Sequence, residues 1–128
     1  MADRVTFKGA LATVPATGSP SGHVTVGIDF DDVSVLTKLV PLLPYTLTSD
    51  SPQSVGFGPL AEAAWVAVRV VSGGVVEVRL TSGRGTLQVV PVDEFLILKS
   101  RRAPFTAMTL TRDAGVQTVV EVLLGQMS

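Results

Sequence analysis

Three aspartates stand close together, Asp29, Asp31 and Asp32, and grouped carboxylates are the ligands a hard cation such as calcium takes. Their spacing lacks the glycine and the distal glutamate of a calcium loop, so a solvated turn is the plainer reading. His23 could act as a general base, and with Ser21 or Ser51 and Asp29 the residue types of a triad are present. Neither serine has the strand–turn–helix setting of a nucleophile elbow. His23 follows a stretch of Gly, Pro and Ser and reads as a surface side chain. Ser82-Gly83-Arg84-Gly85 could hold an anion through backbone N–H groups, but it lacks the lysine and following helix of a phosphate loop. A hairpin turn explains its glycines. Arg101-Arg102 is too short a basic step to hold nucleic acid alone and suits acidic groups on a protein partner. No catalytic, metal-binding or cofactor-binding residue is assigned, and no cofactor is expected.

Composition narrows the classes further. The net charge is −1, whereas proteins that grip phosphates are normally basic, so direct nucleic-acid binding is not expected. The chain has no cysteine and a single histidine, which removes disulfides, thiolate sites and multi-histidine metal sites within one chain. Seven aromatic residues are scattered, without a stacking platform for sugars or RNA bases. No apolar run reaches about 18 residues, so no membrane-spanning helix is expected. Met1–Lys8 carries Asp3, Arg4 and Lys8 where a signal peptide would be continuously apolar, so use without secretion is expected.

The elements that must position these residues read as strands. The chain holds 22 valines, and β-branched residues suit pleated surfaces. Val24, Val26, Ile28 and Phe30 alternate with His23, Thr25, Gly27 and Asp29; Val76, Val78 and Leu80 alternate with Glu77, Arg79 and Thr81. Val5–Val14 also reads as a strand, and Asp31-Asp32 as the end of the His23–Phe30 strand. Ser72-Gly73-Gly74 predicts a tight hairpin between Trp65–Val71 and Val75–Thr81, and Ser82–Gly85 a second one leading to Thr86–Val92. Together these give an antiparallel meander from Trp65 to Val92. Arg112–Gly115 predicts a C-terminal hairpin joining Phe105–Thr111 to Val116–Leu124. Pro91 marks an edge strand, and Phe95–Lys99 is a short extended run. Leu36, Leu39, Val40 and Leu43 have helical spacing, so Val33–Leu43 could hold a short helix ended by Pro41; Ala61–Ala64 could form one helical turn. The expectation is one domain over residues 1–128, with a flexible loop at 13–22 and a long loop at 49–59. Its class is all-β: an antiparallel β-sandwich, jelly-roll-like, of about eight to nine strands.

The apolar surface is more informative than any single group. Hydrophobic residues make up 46% of the chain and charged residues 16%, against about a quarter or more charge on a typical monomer surface. Val70–Val71, Val75–Val76, Val89–Val90, Val119–Val120 and Leu123–Leu124 place apolar side chains on both faces of their strands. One sandwich has one dry interior, so the second face needs a cover, and a subunit contact is expected.

The runs "LAEAAWVAVRVV" (Leu60–Val71), "SGGVVEVRLTSGRGTLQVVPVDEFLILKS" (Ser72–Ser100) and "APFTAMTLTRDAGVQTVVEVLLGQ" (Ala103–Gln126) resemble the small all-β virion structural proteins of tailed bacteriophages. The likeness is greatest to capsid decoration, or cement, proteins. It spans roughly residues 44–126 and contains no diagnostic motif. It implies a jelly-roll-like sandwich that self-associates, with a trimer favoured, and docks on the major capsid protein. The protein would then sit on the exterior of a virion assembled in the host cytoplasm, with no enzymatic activity and no membrane contact. Arg101, Arg102, Val119, Glu121 and Leu123 are the expected contact residues. A head–tail adaptor or tail protein is the alternative within the virion. A carbohydrate-binding β-sandwich and a small hydrolase using His23 are alternatives of other classes.

Overall fold

The structure, a computed structural model, describes the backbone of residues 3–13 and 26–127 and the side chains of residues 34–127. Among the described residues ten strands follow one another: β1 (Asp3–Thr13), β2 (Val26–Leu36), β3 (Lys38–Leu47), β4 (Gln53–Ser54), β5 (Trp65–Ser72), β6 (Val76–Ser82), β7 (Leu87–Val92), β8 (Phe95–Lys99), β9 (Phe105–Arg112) and β10 (Thr118–Gln126). Backbone contacts divide the chain into two compact units, with the boundary between Val35 and Leu36. The first unit contains a two-stranded sheet of β1 and β2. The second contains two four-stranded sheets, ordered β3-β10-β5-β8 (sheet 1) and β4-β9-β6-β7 (sheet 2).

The pairing is nested. β3 lies against β10, β4 against β9, β5 against β8 and β6 against β7, all antiparallel. This is a long hairpin rolled up with the β6–β7 turn at its tip, the jelly-roll form of the expected β-sandwich. Among the described residues no helix occurs. Val33–Leu43 lies within β2 and β3, so the expected helix is corrected to strand. Pro41 has no N–H for a helical bond, whereas on β3, at the edge of sheet 1, it costs nothing. Ala61–Ala64 forms no helical turn; Ala63 bridges to Phe105. β2 runs on through Asp31 and Asp32 to Leu36 instead of ending there.

Two expected hairpins are also corrected. β5 lies in sheet 1 and β6 in sheet 2, so Ser72–Gly74 arches from one sheet to the other and the meander from Trp65 does not form. Arg112–Gly115 does the same between β9 and β10. The third expectation holds: Ser82 closes the β6–β7 hairpin, its N–H donating to the Thr86 carbonyl at 2.9 Å. Its Oγ accepts from the Arg84 and Thr86 N–H groups at 3.2 Å, and Gly85 takes φ +81°.

Alternation fills the space between the sheets. Val66 and Val68 on β5 and Val120, Val122 and Leu124 on β10 face Val76, Val78 and Leu80 on β6 and Met108 and Leu110 on β9. These side chains are 0–2% exposed, and each contributes about 1.5–3 kcal/mol by leaving water. The apolar doublets behave as their strand period demands. Val76, Val120 and Leu124 are buried, while their neighbours Val75, Val119 and Leu123 lie exposed or half-buried outside.

Candidate docking face

The outer face of sheet 1 is assembled by register. On β10 the outward residues are Val119, Glu121, Leu123 and Gly125, between inward Val120, Val122 and Leu124. Glu121 is opposite Pro44 of β3 and Arg69 of β5, and Arg69 is opposite Phe95 of β8. Leu123 is opposite Ala67, which is opposite Ile97. Gly125 is opposite Trp65, which is opposite Lys99. On β3 the register shifts where Pro41 and Leu42 share the place facing Leu123. The bulge leaves Leu42 47% exposed.

Size along the middle row makes a groove. Ala67 is short and its cross-strand neighbours Leu123 and Ile97 are long, so the sheet surface dips between them. The open groove there, about 170 Å³, is lined by Leu42, Ala67, Arg69, Phe95, Ile97 and Glu121. Arg69 and Glu121 form one wall, with Arg69 Nε and Nη2 both donating to Glu121 Oε1. The pair neutralises itself, so the middle of the face presents no net charge. Its partners are 64% and 20% exposed, which places it among surface pairs worth about 0–1 kcal/mol. At the far end the Lys99 ammonium lies 5.4 Å from the centre of the Trp65 ring. Phe95 is 67% exposed and Ile97 39%.

Sheet 2 presents a more polar outer face. Glu77 and Arg79 bond to each other at 2.7 Å, and Thr81, Thr109 and Thr111 fill neighbouring positions. Leu87, Val89 and Pro91 on β7 and Ala107 on β9 are exposed apolar residues of that face. Near the β9–β10 arch, Asp50 accepts a hydrogen bond from the Gly115 N–H at 2.9 Å and another from Arg112 Nε at 2.8 Å. The Gly115 N–H foremost, then Arg112, holds the Asp50 carboxyl below its ordinary value of 3.8. The group ties the loop after β3 to that arch.

The structure brings Val119, Glu121 and Leu123 together on one outward strand face. Arg101 and Arg102 stand apart from them, exposed in the loop that follows β8. His23 and Ser21, with the expected flexible loop between residues 13 and 22 beyond Thr13, lie outside the described residues; Asp29, Asp31 and Asp32 are placed on β2 by backbone alone. Among the described residues no three His, Cys, Asp or Glu side chains gather as metal ligands. Phe95, Ile97, Leu42 and Ala67 were not legible as site residues. The run Phe95–Lys99 is apolar at successive positions, so its pattern does not say which face is covered.

Comparison with known proteins adds little. No family model matches the chain, and no curated protein matches it. A solved structure titled "Crystal Structure of FeII HppE" is similar over 91% of this chain, with 14% identity and a TM-score of 0.39. The chain spans 56% of the length of that structure. HppE is an enzyme, so the expectation that the chain has no enzymatic activity is withdrawn. At that identity and score the likeness assigns this chain no activity, metal or substrate.

Proposed function

We propose that this protein is a structural component of a tailed-phage virion, a decoration protein that self-associates and stabilises the head shell by bridging capsid subunits. The observation that supports this reading is the apolar outer face of sheet 1. It combines exposed Leu42, Phe95 and Ile97 with a self-neutralised ion pair, the composition of a surface covered by protein. The jelly-roll order and the resemblance of residues 44–126 to virion proteins point the same way. Packaged DNA pushes shell subunits apart, and a clip that buries area on two of them at once raises the cost of separating them. Particles lacking the protein should assemble and then rupture at lower temperature or under osmotic shock. Particles carrying it should hold hundreds of copies, where a head–tail or tail ring would hold about six or twelve. Unchanged particle stability, or a ring-like copy number, contradicts decoration.

A further inference from the structure

Charge in the second unit is sorted by end. β6 spans the sandwich from Val76 to Ser82, seven residues or about 20 Å. At the Ser82 end the β6–β7 turn meets the loop after β8, the Gly83 N–H donating to the Pro104 carbonyl at 3.1 Å. Arg84 stands on that turn and Arg101 and Arg102 on that loop, all three exposed. Sheet 1 finishes at the same end, since Ala63 bridges to Phe105 of β9 and the Ala64 N–H donates to the Gly125 carbonyl of β10 at 2.8 Å. Lys38 and Lys99 lie there too, engaged with the Pro59 carbonyl and the Trp65 ring, and Glu62 is half-buried beside them.

The opposite end is acidic. Val92 of β7 and Arg112 of β9 are both opposite Val76. They are therefore two strand spacings apart, about 10 Å. Asp93 and Glu94 follow the first and Asp113 the second, and all three are exposed. Their backbone is tied down: the Val70 N–H donates to the Glu94 carbonyl at 2.8 Å, and the Asp113 N–H donates to the Val75 carbonyl at 3.1 Å.

Other charges of the unit match one another. Asp50 pairs with Arg112 at the acidic end, Glu77 with Arg79 on the outer face of sheet 2, and Arg69 with Glu121 on that of sheet 1. Among the described residues Arg84, Arg101, Arg102, Asp93, Glu94 and Asp113 form no ion pair. Three guanidiniums thus stand at one end and three carboxylates at the other, with self-neutralised faces between. The length of β6 exceeds the screening length of about 8 Å at physiological salt, so the two sets do not satisfy each other within one chain.

We infer that the basic end of one copy of this chain docks on the acidic end of the next, head to tail along the strand direction. A polyanion would match the guanidiniums and leave the carboxylates without a role, whereas a contact between copies engages both sets with equal charge on each side. Side-by-side pairing would instead meet through the neutral faces. The contact is heterologous, so it closes into a ring, such as the trimer the resemblance implies, or continues as a filament. In a ring every copy turns the grooved face of sheet 1 the same way relative to the axis.

The inference rests on the self-association in the proposed function and not on shell binding, and the two fail separately. Particle stability tests the shell role; the mass of the isolated full chain tests the docking. In about 50 mM salt, light scattering should give a trimer or larger assembly of the 13.4 kDa chain. Near 1 M salt, where the screening length is about 3 Å, the mass should fall toward one chain. One variant reverses the guanidiniums (Arg84→Glu, Arg101→Glu, Arg102→Glu) and another the carboxylates (Asp93→Arg, Glu94→Arg, Asp113→Arg). Each alone should self-associate about tenfold or more weakly. Mixed one to one they should associate again, because the first keeps the acidic end and the second the basic end. That recovery also shows that both variants fold. A chain monomeric up to its solubility limit, a chain that stops at a dimer, an assembly indifferent to salt and to both sets of reversals, or a mixture that stays monomeric overturns the inference.

Discussion

Gly73 presses on Thr118 where the β5–β6 arch meets the start of β10. A Cβ on Gly73 would stand 2.5 Å from Thr118 Oγ1 and 2.6 Å from the Gln117 carbonyl oxygen. Thr118 is fully buried there, its hydroxyl donating to the Val116 carbonyl at 3.0 Å and accepting from the Gly74 N–H at 3.2 Å. Gly73 also takes φ +107°, a conformation that side-chain-bearing residues rarely adopt. Gly73→Ala therefore meets both backbone strain and a backbone clash. It should lower stability by about 2–4 kcal/mol in urea unfolding. Gly85→Ala, at φ +81° with open space around its missing Cβ, should cost less, about 1–2 kcal/mol.

Gly125 and Leu36 share one space on the outer side of β10. A Cβ on Gly125 would approach Leu36 Cδ1 to 2.8 Å, and Leu36 is fully buried, so it cannot swing aside into water. Gly125→Ala should cost about 1–3 kcal/mol by overpacking. Leu36→Ala should cost about 2–5 kcal/mol by leaving a cavity. The double variant should lose less than the sum, because the new methyl then enters the space left by Leu36. Strict additivity in thermal or urea unfolding contradicts the contact.

The Asp50 carboxyl titrates below its ordinary value because Gly115 and Arg112 stabilise its charged form. A lowered folded-state pKa adds stability above the unfolded value of 3.8, and that stability is lost as the pH falls through the folded value. Between about pH 5 and pH 3 the Tm of the wild type should therefore fall more than that of Asp50→Asn. Parallel Tm curves for the two chains would show that the bonds to Asp50 do not discriminate its charge state. The contribution is small, because the Asp50 side chain is largely exposed.

The alternation of Val76, Val78 and Leu80 makes the class and the buried face legible in the sequence alone. β-branched residues at a period of two have few other ways to be buried. The partners of those strands were not legible. Ser72-Gly73-Gly74 and Ser82–Gly85 both offer glycine turns after a strand. One crosses to the facing sheet and the other folds back into a hairpin. The choice is made by tertiary packing, here Gly73 against Thr118, which lies far away in sequence. Val119, Glu121 and Leu123 were legible as one outward stripe by the same period. Ala67 and Phe95 were not, since the groove exists only when β8, β5 and β10 lie side by side. Helical spacing at Leu36, Leu39, Val40 and Leu43 misled because a bulge at Pro41–Leu42 shifts the strand period by one residue.

The most direct test of the account is a cryo-EM map of a phage particle carrying this protein. The account predicts copies distributed over the head exterior, with the outer face of sheet 1 against neighbouring protein and the side chains of Leu42, Phe95 and Ile97 withdrawn from solvent. A particle without the protein, or copies whose sheet 1 faces open solvent, would contradict it.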